Sequence, residues 1–159
     1  MAKCEVISVD NFIKDIDARS KDFEKMAGAA IYKGAAILAD QLRANIEALP
    51  ERPRSSKKGE MVKGVTKQQK QALLDHMGIS KMQNVDGTYD IKIGFEGYDN
   101  DKTKSYPNGH PISMIARSVE SGTSFLQKTP FIRPASQKAK GPAEQAMKKE
   151  IETQWQTEK

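Results

Sequence analysis

Two histidines, one cysteine and a few clustered acids and hydroxyls are the side chains here that could do chemistry. His76 stands in Leu74-Asp75-His76-Met77 and His110 in Asn108-Gly109-His110-Pro111. An imidazole serves as a proton handle or a metal ligand only with suitably placed partners. Neither histidine has a carboxylate or cysteine at ligand spacing. The sequence predicts a helix-end residue at His76, where the ring meets free carbonyls, and a turn or cap residue at His110. Ser121 beside Gly122 lacks the strand, elbow and flanking glycine pair that activate a hydrolase serine. Asp99, Asn100 and Asp101 match part of a calcium loop, but the required glycine and closing glutamate are missing, which predicts a solvated loop. Cys4 is the only cysteine, so it forms no internal disulfide or zinc framework, and a reduced thiol is expected. No catalytic, cofactor or metal site follows from these residues. The expectation is a protein that is not an enzyme.

Charge is the other resource. The chain carries a formal net charge of +5, and the segment 51–70 alone holds Arg52, Arg54, Lys57, Lys58, Lys63, Lys67 and Lys70 against Glu51 and Glu60. The rest of the chain is therefore neutral. The run from Arg52 to Glu60 is polar and carries proline and glycine, which predicts a flexible basic loop at 51–65 within one domain spanning 1–159. Three roles are open to it. It is a solvated loop without a partner, an arm that touches nucleic-acid phosphates in a salt-sensitive way, or a dock for an acidic neighbouring protein. Arg52, Arg54, Lys57, Lys58 and Lys63 are the candidate contacts to a channel or a partner. No aromatic residue lies among these basic residues, so base stacking is not expected.

The elements around these groups follow from apolar spacing. Residues Asn11–Leu49 read as a helix, with Asp10 or Asn11 as its cap and Ser20 able to divide it. Unbroken, it would span about 58 Å, longer than one small domain needs. Its small residues between Ala27 and Ala36 would let another backbone approach closely. Pro50 and Pro53 end it. The stretch TKQQKQALLDHM from Thr66 predicts a short helix with Leu73, Leu74 and Met77 inward. Tyr89, Ile91, Ile93 and Phe95 alternate with polar residues or glycine, the pattern of a half-buried strand. Asp86-Gly87 predicts a hairpin turn to an arm at Lys81–Val85. The segment 97–109 reads as a polar loop. Ile112, Ile115, Ala116 and Val119 place one apolar face on a short helix that Pro111 opens and Gly122 stops in a left-handed cap. Pro130 and Pro134 bracket Phe131 and Ile132 as an extended apolar plug. A final helix carries Ala143, Met147, Ile151 and Trp155, and Gly141-Pro142 kinks or divides it.

These elements predict an α+β fold: a small antiparallel sheet packed against a long N-terminal helix and a C-terminal helix. The apolar share is modest at 37%, so part of the surface is expected to be buried against copies of the same chain. There is no apolar run near a membrane span and no signal-peptide pattern at the start. No membrane contact is expected, and synthesis in a reducing cytoplasm is.

A helix ending in Glu120-Ser121-Gly122-Thr123, a short spacer and then Pro130-Phe131-Ile132-Arg133-Pro134-Ala135 before a final helix resembles a phage family. It is the gene-product-ten-like tail-completion, or head–tail joining, family of long-tailed phages. The resemblance covers roughly 73–155 and includes the long N-terminal helix. It departs where such proteins often have Tyr-Ala before Val-Glu, since this chain has Ile115-Ala116-Arg117-Ser118-Val119-Glu120. The resemblance implies a structural virion protein of a phage or prophage, assembled in the host cytoplasm into a ring at the neck. Such rings are commonly hexamers, so the implied partners are copies of itself and neighbouring neck or tail proteins, with non-specific DNA contact by the arm. A tail terminator or minor tail ring protein fits the same resemblance. A stand-alone, sequence-independent DNA-binding module is the alternative from another class. A closed ring needs different patches to meet head to tail. Glu120, Gly122, Thr123, Pro130, Phe131, Arg133 and Pro134 are the candidates for one patch, and the helix face near Ala27–Leu38 for the other.

Overall fold

The long apolar-periodic stretch folds as one uninterrupted helix, α1 (Val9–Glu47), and Ser20 does not divide it. A computed structural model describes residues 9–54 and 59–157, with side chains from Lys21 to Arg54 and from Gly59 to Gln156. Cys4, Lys57 and Lys58, and the side chains of the expected cap at Asp10 or Asn11, lie outside the described residues. The final helix, α4 (Ile132–Thr157), is also continuous and keeps Pro142 inside it.

The two helices run antiparallel. Asn45 donates its side-chain N–H to the Phe131 carbonyl at 2.9 Å, Gly34 lies under Met147 and Lys33 pairs with Glu150. Residue numbers thus fall along α1 as they rise along α4. A methyl group on Gly34 would sit 2.8 Å from the Met147 sulfur, so the missing side chain permits the approach. Ala30 and Ala39 are buried on α1. The small-residue stripe is therefore met at Gly34 by the Met147 side chain of its own chain.

Between these helices come β1 (Val62–Lys63), α2 (Lys67–Asp75), β2 (Met77–Ile79), β3 (Gln83–Val85), β4 (Thr88–Asp90), β5 (Ile93–Phe95), α3 (Ile112–Ser121) and β6 (Leu126–Gln127). The α+β class is as the sequence predicts, with the sheet in three two-stranded pieces. The β3–β4 hairpin turns at Asp86 and Gly87, both at positive φ (53° and 81°), as a two-residue hairpin turn requires. The alternating stretch from Tyr89 to Phe95 is not one strand. Its first part pairs with β3, and its second pairs antiparallel with β2. Helix α2 is capped by Thr66, whose hydroxyl accepts from the Gln69 N–H while the Gln69 side chain accepts from the Thr66 N–H. It stops at Asp75, so Met77 opens a strand instead of ending a helix.

The core lies where α1, α2, α3 and the start of α4 meet. Ile46, Val65, Leu73, Ile112 and Ala135 are wholly removed from water, and Val119 and Phe131 nearly so. Burying one such side chain stabilises by about 1.5–3 kcal/mol before entropy is counted. This cluster fixes the two segments that carry the sequence's unusual residues.

Candidate functional site

The first of these segments is the joint that turns α3 into α4. All four residues of the predicted apolar face of α3, Ile112, Ile115, Ala116 and Val119, are buried. Pro111 stands at the cap, one position before the helix. The approach to it is held by Asp99, which is 9% exposed. Asp99 Oδ1 accepts from the backbone N–H of His110 at 2.6 Å and of Asp101 at 3.1 Å. His110 Nδ1 lies 3.3 Å from Asp99 Oδ2, and the Asp99 N–H donates to the His110 carbonyl. The expected solvated loop is thus clasped by its own aspartate, because a buried carboxylate needs donors and the neighbouring backbone supplies them. His110 is the turn residue the sequence predicts, now with a carboxylate partner from eleven positions upstream.

At the other end of α3, the Gly122 N–H donates to the Ser118 carbonyl at 2.8 Å. Gly122 has φ 77° and ψ 168°. The positive φ is as predicted, but ψ is extended and not left-handed helical, so the chain leaves straight for the next turn. That turn is closed by Thr123, whose N–H donates to the Leu126 carbonyl and whose hydroxyl accepts from the Leu126 N–H at 3.0 Å. A methyl group on Gly122 would stand 3.0 Å from the Lys128 nitrogen and 3.1 Å from the Leu126 carbonyl oxygen. The Thr129 N–H then returns to the Val119 carbonyl.

Helix α4 begins at Ile132, which corrects the extended plug. Pro134 sits in the first helical turn, where its missing N–H would have had no partner anyway. Phe131 points inward at 2% exposure and meets the Phe95 ring edge-on, with centroids 6.2 Å apart. The first free N–H groups of α4 are taken by Glu120. Its Oε2 accepts from Phe131 at 2.7 Å and Ile132 at 2.8 Å, and its Oε1 from Arg133 at 3.1 Å. Burial pushes the Glu120 carboxyl up, but these three N–H groups and the Arg133 charge outweigh it and hold it below the ordinary 4.5. A carboxylate at a helix N-terminus is favoured both by hydrogen bonding and by the helix dipole. Glu120 thus has its partner within its own chain. Pro130, Arg133 and Pro134 remain on the exposed outer surface, around a shallow cleft of about 180 Å³ shared with Ser121, Lys128 and Gln137.

The second segment, expected as a flexible loop at 51–65, is held at both ends. The Arg52 N–H donates to the Val65 carbonyl, the Val65 N–H to the Pro50 carbonyl and the Val62 N–H to the Phe125 carbonyl. Val62 and Lys63 pair in parallel with Leu126 and Gln127, and Val65 is fully buried. The physical reason is that Val62 and Val65 belong to the core side of the ladder, which the basic composition conceals. Arg52 donates from Nε to the Gly64 carbonyl, and Arg54 reaches Asp101 at 2.8 Å. Lys70 bridges Glu51 and the Glu47 carbonyl. Lys63 and Lys67 are exposed. Beside this segment, Met61 and Phe125 are each 62% exposed.

Among the described residues, no group of three or more His, Cys, Asp or Glu is placed to hold a metal. No described helix is long and apolar enough to cross a membrane. His76, at the C-terminal cap of α2 as predicted, is exposed.

One family model matches the chain, that described as "Bacteriophage HK97-gp10, putative tail-component", over residues 10–122. The matched stretch runs from α1 through the Gly122 cap, and Pro130–Ala135 lie beyond it. No curated protein and no solved structure matches the chain.

Proposed function

This chain belongs to the HK97-gp10-like family of bacteriophage tail components, and we propose that it builds a ring at the neck, completing the tail where it meets the head. The role is structural, with no reaction catalysed and no cofactor. The observation that carries this reading is the apolar surface the chain's own core leaves uncovered. Met61 and Phe125, each 62% exposed, flank the β1–β6 pair, and Trp155 on α4 is 59% exposed. Large aromatic and Met side chains at the surface are the kind that anchor protein interfaces, and a structural tail component has copies of itself as its nearest partners.

In the proposed ring, a hexamer by resemblance, Pro130, Arg133 and Pro134 present the outer surface of the α3–α4 joint to a neighbour. Glu120, Gly122, Thr123 and Phe131 act from beneath by fixing the shape of that surface. The basic segment carries the chain's net charge of +5 and faces either the DNA channel or an adjoining ring of the virion. Arg52, Arg54, Lys57, Lys58 and Lys63 would touch phosphates without reading sequence. A tail terminator or other minor tail ring would use the same surfaces, and a head-bound or tail-bound location separates the three.

Light scattering over a range of protein concentrations, with and without duplex DNA, tests the reading. A closed oligomer that grows in with concentration and needs no DNA is expected. A monomer whose mass shifts only with DNA, and loses the shift as salt rises, would instead make the chain a stand-alone DNA-binding module.

A further inference from the structure

We infer that the outer flank of α4 is a self-pairing surface, on which two copies of the chain meet antiparallel about a twofold axis. The first half of α4 turns its apolar residues inward, with Phe131, Ala135 and Ala139 all buried. The second half carries a row at four-residue spacing, Ala143, Met147, Ile151 and Trp155. Four residues overshoot a turn of 3.6 by about 40°, so this row winds steadily away from α1. Met147 still lies over Gly34, while Ile151 is 40% exposed and Trp155 is 59% exposed. The row begins as one wall of an apolar cleft of about 390 Å³, whose other walls include Ile31, Leu38 and Ile91. It ends in solvent.

The charges beside this row identify the partner. Glu144, Lys148 and Glu152 each stand three positions before an apolar residue of the row, and Lys140 precedes them at the same spacing. All four are exposed. On a solvated helix such spacing supports ion pairs within the helix, yet among the described residues none of the four is in an ion pair. They form a ridge of alternating sign and zero net charge. Plus, minus, plus, minus, read from the other end, is minus, plus, minus, plus. Two copies laid antiparallel therefore match at every position, with Lys140 against Glu152 and Glu144 against Lys148, each twice by symmetry. A slip of four residues either way sets like against like, and so does parallel pairing in register. Charges of this kind fix direction and register. The remaining charges leave the match standing. Glu150 is held by Lys33. Lys138 and Lys149 point roughly 100° or more from the middle of the ridge, and in this register they oppose the uncharged Gln154 and Ala143. Arg133 falls beyond the ridge, opposite a chain end that carries Glu158 and Lys159. The turn of α1 brought beside the end of α4 by the Lys33–Glu150 register holds Lys21, Asp22, Glu24 and Lys25, two of each sign. The same register lays Ile151 and Trp155 over Gly141 of the second copy, where an added methyl group would meet nothing within 4 Å. The contact joins one surface to itself, so it closes no ring. It is independent of the ring reading and pairs two subunits, or two rings face to face.

Trp155 is the only tryptophan, so its emission reports the contact directly. In the full chain, that emission is expected to move to shorter wavelength as concentration rises, in step with a doubling of mass by light scattering. Glu144→Lys with Glu152→Lys makes the ridge wholly basic, and Lys140→Glu with Lys148→Glu makes it wholly acidic. Each double variant alone is expected to lose the shift and the doubling, and an equimolar mixture to recover both. Reversing all four charges keeps the chain's net charge and the alternation. That variant is expected to pair with itself and to refuse tagged wild type in a pull-down. Circular dichroism checks folding, and the four-fold reversal still decides if a double variant unfolds. Capture of the reversed variant by wild type would mean parallel helices and would overturn the twofold contact. A shift that survives in either double variant alone would overturn it as well. An oligomer whose Trp155 emission never moves would place the contact elsewhere, overturning this pairing while leaving the ring intact.

Discussion

The joint between α3 and α4 and the basic segment 51–70 are the two stretches whose sequences stand out, and the fold treats them oppositely. In the joint, three of the unusual residues have partners in their own chain: Glu120 holds the start of α4, Thr123 closes the turn and Phe131 lies against Phe95. In the basic segment the backbone is anchored at Arg52, Val62 and Val65, while the side chains of Lys63 and Lys67 face solvent. A short motif with a rare order of residues thus marks a demanding piece of internal geometry. Exposed apolar surface lies where composition is plainer: Met61 and Phe125 beside a lysine-bearing strand, and Trp155 on α4.

The contrast breaks most visibly at Phe131. Truncation to Ala removes a fully buried ring and should cost about 3–5 kcal/mol in chemical denaturation. If Phe131→Ala instead kept wild-type stability and lost only assembly, the ring would be serving a neighbour and not its own core. Gly122→Ala comes next, at about 1–3 kcal/mol, because φ 77° strains any other residue. The β6 backbone would also have to shift by tenths of an ångström. The same measurement reads both.

Glu120→Gln sharpens the comparison. It keeps the shape but removes the charge and one accepting oxygen from the helix terminus, for a loss of about 1 kcal/mol near neutral pH. The sign with pH follows from its carboxyl being held below 4.5 in the folded chain. A group lowered on folding contributes fully above its unfolded value and loses that contribution as pH falls through the folded one. Stability of wild type and Glu120→Gln should therefore differ by a constant amount above pH about 5 and converge as pH falls through the lowered folded value. A gap that stays open in acid would show that the carboxylate's charge is not what matters there.

Local signals were legible and long-range ones were not. The buried face of α3 is visible because Ile112, Ile115, Ala116 and Val119 repeat at the helical period, and the Asp86-Gly87 turn because its dipeptide suits positive φ. Glu120 capping a helix that starts twelve residues later has no local signature, since the intervening turn must first bring it there. Asp99 reads as a solvated acid until His110 folds over it. The alternation from Tyr89 to Phe95 is real, but which strand pairs with which half is a tertiary outcome. Val62 and Val65 are outnumbered by the charges around them, and two apolar residues suffice to tie down a segment whose average is polar. At the candidate site, the partners of Glu120, Thr123 and Phe131 within the chain carry no local signal in the sequence.

The smallest expected effect lies in the basic segment. The Arg54–Asp101 pair is bridged at 2.8 Å, but the Arg54 side chain is 71% exposed, and surface pairs of this kind contribute under about 1 kcal/mol. Arg54→Ala should barely move the denaturation midpoint. Amide exchange gives it a finer reading. Protection is expected at Arg52, Val62 and Val65, whose N–H groups donate to backbone carbonyls, in wild type and variant alike. What should change is Asp101's freedom, because its carboxylate loses the arginine while its N–H stays on Asp99. If Arg54→Ala instead released protection at Val62 and Val65, the arm's anchorage would depend on its charges. The division between a joint held by its side chains and a segment held by its backbone would then fail at its second half.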